Sequence, residues 1–127
     1  MEIVGIGTEI VECVRIGRMI AEHGELFLTR VFTAQEIRWC QQRKNATEHF
    51  ACQWAGKEAI LKALGIQSMK RLAWTDLEIH QGAGEKPHVR LHGALKAFVE
   101  EQNVGEILLS VAHCRAYATA YALAVRG

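Results

Sequence analysis

The chain has 127 residues, half of them hydrophobic and 23% charged, with one proline and eleven glycines; this excludes a disordered, collagen-like or proline-rich chain and suits one globular domain over residues 1–127. A folded monomer of this mass should expose roughly 6,800 Å² against roughly 20,600 Å² for the extended chain, which is enough burial for one core. Fifteen Lys and Arg against fourteen Asp and Glu leave a net charge of +1, disfavouring a general nucleic-acid binder, and no apolar run approaches the roughly 20 residues of a membrane span.

The opening Met1-Glu2-Ile3-Val4 lacks the basic region of a secretion signal. Cys13, Cys40, Cys52 and Cys114 are widely spaced and form no Cys-x-x-Cys. The favoured reading is four reduced thiols in a cytoplasmic protein.

Ile3 to Val11 reads as a β-branched strand interrupted by Gly5 and Gly7. Isolated strand glycines point to a bulge, or to another group approaching the backbone closely. Val14, Ile16, Met19 and Ile20 then fit a short amphipathic helix that Gly24 stops, and Leu26, Phe27 and Val31 a further turn or two. Thr33-Ala34-Gln35-Glu36 has the form of a capping box opening a helix through Ile37, Trp39 and Cys40. Asn45 with Glu48 is a second such box, for the longest helix, which Gly65 should end.

The second half changes period. Asp76–His80 alternates like a strand, Gln81–Gly84 turns the chain and Val89–Leu91 returns it as a hairpin; Ala94–Glu101 reads as a short helix. Ile107–His113 and Tyr117–Val125 are the last two strands. The class is therefore α+β, a mostly antiparallel sheet packed against one long and several short helices.

On a helical wheel of residues 46–64, Phe50, Trp54, Leu61 and Leu64 form one stripe with Lys57 in its middle. A lysine there must either snorkel to solvent or be held against negative charge. Ala51, Ala55, Ala59 and Ala63 make the opposite side small and smooth, so another element or subunit can approach it closely. Glu58 and Lys62 lie four apart on the flank of the stripe. The plain reading of that spacing is a surface ion pair of about 0.2–0.5 kcal/mol. The sharper one is a carboxylate on a hard metal ion beside lysines that face phosphate oxygens, with Glu9 as a second oxygen ligand.

At these residues the sequence resembles the bacterial holo-acyl-carrier-protein synthases, the small 4′-phosphopantetheinyl transferases. The match begins at Gly5-Ile6-Gly7-Thr8-Glu9-Ile10-Val11-Glu12 with Arg15-Ile16 and continues at Arg30-Val31-Phe32-Thr33 with Glu36. Its most specific block is Trp54-Ala55-Gly56-Lys57-Glu58-Ala59-Ile60-Leu61-Lys62-Ala63-Leu64-Gly65. Asp76-Leu77-Glu78-Ile79, Lys86-Pro87 and Ser110-Val111-Ala112-His113 with Tyr117-Ala118 follow in order.

The resemblance implies transfer of the 4′-phosphopantetheine group of coenzyme A to a serine of an apo acyl carrier protein, with release of adenosine 3′,5′-bisphosphate. It implies Mg²⁺, with Mn²⁺ as the alternative ion, and a homotrimer with active sites at the subunit interfaces. Carried over by position, Glu58 and Glu9 are the metal ligands, and Glu58 and Lys62 the catalytic pair. Lys57, Lys62 and His113 are the coenzyme-binding residues, His113 serving a neighbouring subunit's site. Arg15 falls on the helix where the acidic carrier docks; Met19, with Phe27, reads either as an apolar part of that docking face or as ordinary core of the helix.

Three departures stand out. Glu9 occupies the place of the family's usual aspartate, carrying the carboxylate outward by roughly one bond, which matters for an ion as exacting as Mg²⁺. The segment Ile66–Arg71 lacks the further glycine common in the family's tight loop; Lys70 and Arg71 read either as solvated loop charges or as side chains that reach the nucleotide's phosphates in place of backbone contacts. Glu85 stands before Lys86-Pro87 where the family has glycine, with Gly84 one residue earlier.

Other residues read as structural. His49 and Cys52 share a helix, but two ligands make no zinc site. Trp39, Trp54 and Trp74 lack the basic interleaving of a nucleic-acid platform. Two rival readings remain: a carrier-binding module of the same fold that no longer catalyses, and a transferase for a specialised carrier.

Overall fold

The computed structural model describes residues 1–82 and 84–127. Its elements follow the expected order: β1 (Glu2–Glu12), α1 (Cys13–His23), α2 (Glu25–Val31), α3 (Ala34–Gln41), α4 (Ala46–Ala63), a short 3-10 turn Trp74–Asp76, β2 (Leu77–His80), β3 (His88–Leu91), α5 (Gly93–Glu101), β4 (Glu106–His113) and β5 (Tyr117–Arg126). The strands form two separate antiparallel sheets, β1-β5-β4 and β2-β3. The predicted turn of the smaller hairpin includes Ala83, which lies outside the described residues.

The long helix α4 lies across the three-stranded sheet, and composition explains how closely. Gly5 and Gly7 of β1 stand opposite Ala124 and Ala122 of β5, with Ala120 opposite Glu9. These small residues make a flat floor, and Ala59 and Ala63 of α4 rest on it. A Cβ placed on Gly5 or Gly7 would overlap the carbonyl oxygens of Ala63 and Ala59. Both readings of the strand glycines hold, because the register also shifts between Ile3 and Gly5. Gly7→Ala is therefore expected to destabilise the fold by about 3 kcal/mol, since backbone and not a flexible side chain blocks the methyl. Thermal unfolding indistinguishable from wild type would contradict this packing.

Two helix ends obey local rules. The Thr33 side chain accepts from Glu36 N–H and the Glu36 carboxylate from Thr33 N–H, completing the capping box at α3. At the other end of α4, Gly65 takes φ +72°. Its N–H reaches Lys62 O and that of Ile66 reaches Leu61 O, a Schellman stop. The Asn45–Glu48 box does not form: Asn45, at φ −106° and ψ 62°, makes no side-chain cap, and the Glu48 carboxylate that would complete the box pairs with His113, 2.9 Å away.

One hydrophobic core joins α1–α5 and both sheets, while the outer face of the larger sheet stays open. Ile6, Ile10, Tyr121 and Leu108 are 70%, 59%, 59% and 44% exposed. The chain exposes 7665 Å² in all, more than the roughly 6,800 Å² expected for its mass. The four cysteines are free thiols, only Cys114 being exposed. Among the described residues no helix is long and apolar enough to cross a membrane.

Candidate active site

Glu9 ends the glycine-broken part of β1, and Glu58 lies on α4 immediately before Ala59, which packs on Gly7 of that strand. Strand alternation turns Glu9 toward the helix, on the same face as Gly5 and Gly7, so the two carboxyls meet in hydrogen-bond contact. Lys62, one turn beyond Glu58, closes the cluster: its Nζ is 2.9 Å from Glu9 Oε2 and donates to Thr8 O at 3.1 Å. Ile10 N–H donates to the other Glu9 oxygen. The i,i+4 surface pair between Glu58 and Lys62 is thus replaced by a long-range pair between Lys62 and Glu9.

The electrostatics of the two acids diverge. Burial, then the hydrogen bond and charge of Glu9, push the Glu58 carboxyl up to about 7, with Lys62 and Arg15 opposing. For Glu9 burial also raises the pKa, but hydrogen bonds with Glu58, Lys62 and the Ile10 N–H together outweigh it and lower the value. Two carboxyls facing each other hold one proton between them. That is a site short of positive charge, and two hard oxygen donors beside each other suit a small divalent cation. Glu9 and Glu58 would hold such an ion and Lys62 would border it. Arg15 stands exposed on α1, close enough to influence Glu58, while Met19 is half-buried and packs on the core.

Two expected site residues lie elsewhere. Lys57 was expected to face phosphate, but its side chain is wholly buried. Nζ pairs with Glu36 Oε1 at 2.8 Å and donates to Val31 O, Leu77 O and Trp74 O at 2.7, 2.6 and 3.2 Å. Burial lowers the ammonium's pKa, and the charge and hydrogen bond of Glu36 oppose that. With four acceptors around it, the ammonium has no donor free for a phosphate, which corrects its coenzyme-binding assignment.

His113 ends β4, its Nδ1–H donating to Glu48, its ring 5.0 Å from that of His49. His49 packs in turn on Trp39, and Arg43 lies 4.2 Å above the Trp39 ring. Glu48 and Glu58 are ten residues apart on one helix, about 15 Å. One chain therefore does not bring His113 to the Glu9–Glu58 cluster.

Sequence reasoning missed the partners: Glu36 for Lys57 and Glu48 for His113. The only local signal was the apolar stripe around Lys57, which called for a carboxylate without saying which. A groove of about 980 Å³ includes Ile6, Lys86, Pro87, Leu108 and Tyr121 in its lining. It opens beside the bare sheet face and contains neither acid of the cluster.

The model of the 4′-phosphopantetheinyl transferase superfamily matches residues 5–125. The chain is 49% identical to a holo-[acyl-carrier-protein] synthase of Rhodopirellula baltica over 121 residues, covering 95% of this chain and 96% of that one. It is also similar to the crystal structure of the Neisseria meningitidis holo-[acyl-carrier-protein] synthase, with TM-score 0.89, 30% identity, and 98% and 99% of the two chains covered. The Helicobacter pylori synthase in complex with coenzyme A aligns at TM-score 0.82 and 27% identity, covering 94% and 99%.

Proposed function

The chain belongs to the 4′-phosphopantetheinyl transferase superfamily, and from that premise we propose that it transfers the 4′-phosphopantetheine group of coenzyme A to a serine of an apo acyl carrier protein. The family makes it an enzyme, a transferase of the holo-acyl-carrier-protein synthase kind. The observation that carries the reading is the convergence of Glu9, Glu58 and Lys62, which a pure binding scaffold would not need. A relative of the same fold has been crystallised with coenzyme A.

In this reading Glu9 and Glu58 hold Mg²⁺ or Mn²⁺, which supplies neutralisation of phosphoryl charge when bound. The serine hydroxyl attacks the β-phosphorus of the coenzyme's pyrophosphate, and adenosine 3′,5′-bisphosphate leaves. Glu58 receives the hydroxyl proton, directly or through water. Lys62, more than half exposed at its side chain, turns its charge toward the phosphate oxygens. Arg15 fixes the register of the acidic carrier beside the cluster and speeds encounter. The protein works in the cytoplasm.

The active unit is a homotrimer. The exposed apolar sheet face supports assembly, and the separation of His113 from Glu58 supports a site shared between subunits. Mixing Glu58→Gln with His113→Ala chains under refolding should restore transfer that neither shows alone, read as a phosphopantetheine mass gain on the carrier. No restoration, or a stable monomer by sedimentation, would contradict the shared site.

Glu9→Asp is expected to keep transfer within about tenfold while lowering the Mg²⁺ concentration needed, because the shorter arm draws the carboxylate back from Lys62 toward the geometry Mg²⁺ demands. An unchanged Mg²⁺ requirement would show that the length of Glu9 does not set it.

A further inference from the structure

We infer that Lys57, together with Glu36, is a positioning residue for the transfer reaction: the buried pair fixes the roll of α4 about its own axis and so sets where Glu58 meets Glu9. The inference rests on the reading of Glu9 and Glu58 as the transferase centre. It starts from a contrast between the two sides of the helix.

On the sheet side the contact is close but smooth. Ala59 and Ala63 lie on Gly7, Gly5 and the alanines of β5. Small residues fix the distance between helix and sheet, but they interlock poorly and so resist rolling weakly. On the other side Phe50 packs on Phe32 and Trp54 on Phe27 and Trp74, but among the described residues every side-chain hydrogen bond from α4 toward α2, α3 and β2 is made by Lys57. Lys57 Nζ is held by the carbonyl of Val31 at the end of α2, by that of Trp74 in the 3-10 turn, by that of Leu77 at the start of β2, and by Glu36 of α3.

The anchor is itself immobile. Glu36 accepts from Thr33 N–H at 2.8 Å and from Ile79 N–H at 2.8 Å. Thr33 Oγ1 donates to Glu78 Oε2 at 2.7 Å, and the other Glu78 oxygen faces the rings of His80 and His92 at 2.9 and 3.2 Å. The Glu78 carboxyl is lowered to about 2: burial alone would raise it, but the hydrogen bonds from Thr33, His80 and His92 prevail.

The geometry makes roll consequential. With Cα atoms about 2.3 Å from the helix axis, the Lys57 ammonium sits roughly 8 Å out and the Glu58 carboxyl roughly 6 Å out. A 10° roll moves the first by about 1.4 Å and the second by about 1 Å. The ammonium would lose its short hydrogen bonds, so the roll is held. A displacement near 1 Å at reacting groups is enough to lower a rate about a hundredfold. An apolar side chain of the same length would fill the stripe equally well, and buried ion pairs are often no more stable than such replacements. What the pair adds is direction.

The test compares wild type, Lys57→Met and the charge-free pair Lys57→Met/Glu36→Gln in the full chain. The single variant leaves Glu36 buried without its cation and should melt well below wild type. The pair should recover much of that loss in Tm. Its kcat should nevertheless stay about a hundredfold below wild type, with KM for coenzyme A within about threefold. A pair that recovers both Tm and kcat would reduce Lys57 to a structural role, as would kcat and KM failing together.

A readout independent of turnover covers variants too unstable to assay at 25 °C: nuclear Overhauser contacts between the Glu9 and Glu58 side chains, measured at 10 °C. They should weaken or vanish in the pair; unchanged contacts would overturn the inference. Wild-type protein that transfers nothing would defeat the transferase reading instead, and the side-chain contacts would then decide the role of Lys57 alone.

Discussion

Glu58→Gln is expected to lower transfer by about 10²–10³-fold at saturating Mg²⁺, and to make the metal-free protein more stable above pH 7. The two effects share one cause. The carboxyl is raised to about 7 in the folded chain, above the ordinary glutamate value of 4.5 that the unfolded chain should show. Below 4.5 it is neutral in both states and contributes nothing. As pH rises from 4.5 to 7 the unfolded chain ionises first, so the folded state loses stability; beyond 7 the deficit is constant. Glutamine removes it. Because Glu58 is only partly buried, screening reduces the gain to about 1 kcal/mol. Transfer assays and melting curves at pH 8 without metal check both halves. Retained activity would remove Glu58 from the chemistry, and a lowered Tm would show its proton to be structural.

Lys57→Met carries the largest expected loss of stability. It strands Glu36, wholly buried at its side chain, as an uncompensated charge, and leaves three backbone carbonyls without their common donor. Breaking such a pair costs about 3–5 kcal/mol, a large share of the 5–15 kcal/mol that holds a typical domain together. For a chain of this size that is a fall in Tm of roughly 10–20 °C. Differential scanning calorimetry measures it directly. A shift of only a degree or two would mean that Lys57 is not charged and paired in the folded protein.

Local rules carried the reading of the chain far. Periodicity placed all five strands and the helices between them in order, because each burial pattern is written within a few residues. The Thr33–Glu36 box and the stop at Gly65 are local hydrogen-bonded loops that sequence spacing specifies. Asn45–Glu48 has the same spacing and failed: the Asn45 side chain caps nothing, and Glu48 pairs with a histidine 65 residues away. The candidate site shows the same division. Glu58, Lys62 and Glu9 were legible as types at suggestive positions. Their meeting was not, because it depends on α4 crossing β1 at its glycines. Lys57 is the sharpest case. The wheel showed a lysine that needed a negative partner, yet only the fold supplied Glu36, and with it a reason to withdraw Lys57 from the coenzyme.

The measurement that tests the account most directly is intact-mass analysis of an apo acyl carrier protein incubated with coenzyme A and this enzyme. Parallel reactions contain Mg²⁺, Mn²⁺ or chelator, and use both a fatty-acid-type carrier and a specialised one. The account predicts a gain of one phosphopantetheine mass that needs the divalent ion and disappears with Glu58→Gln, the faster carrier identifying the acceptor class. No gain on either carrier from folded protein, beside an active control transferase, would contradict it and favour a carrier-binding module without transfer.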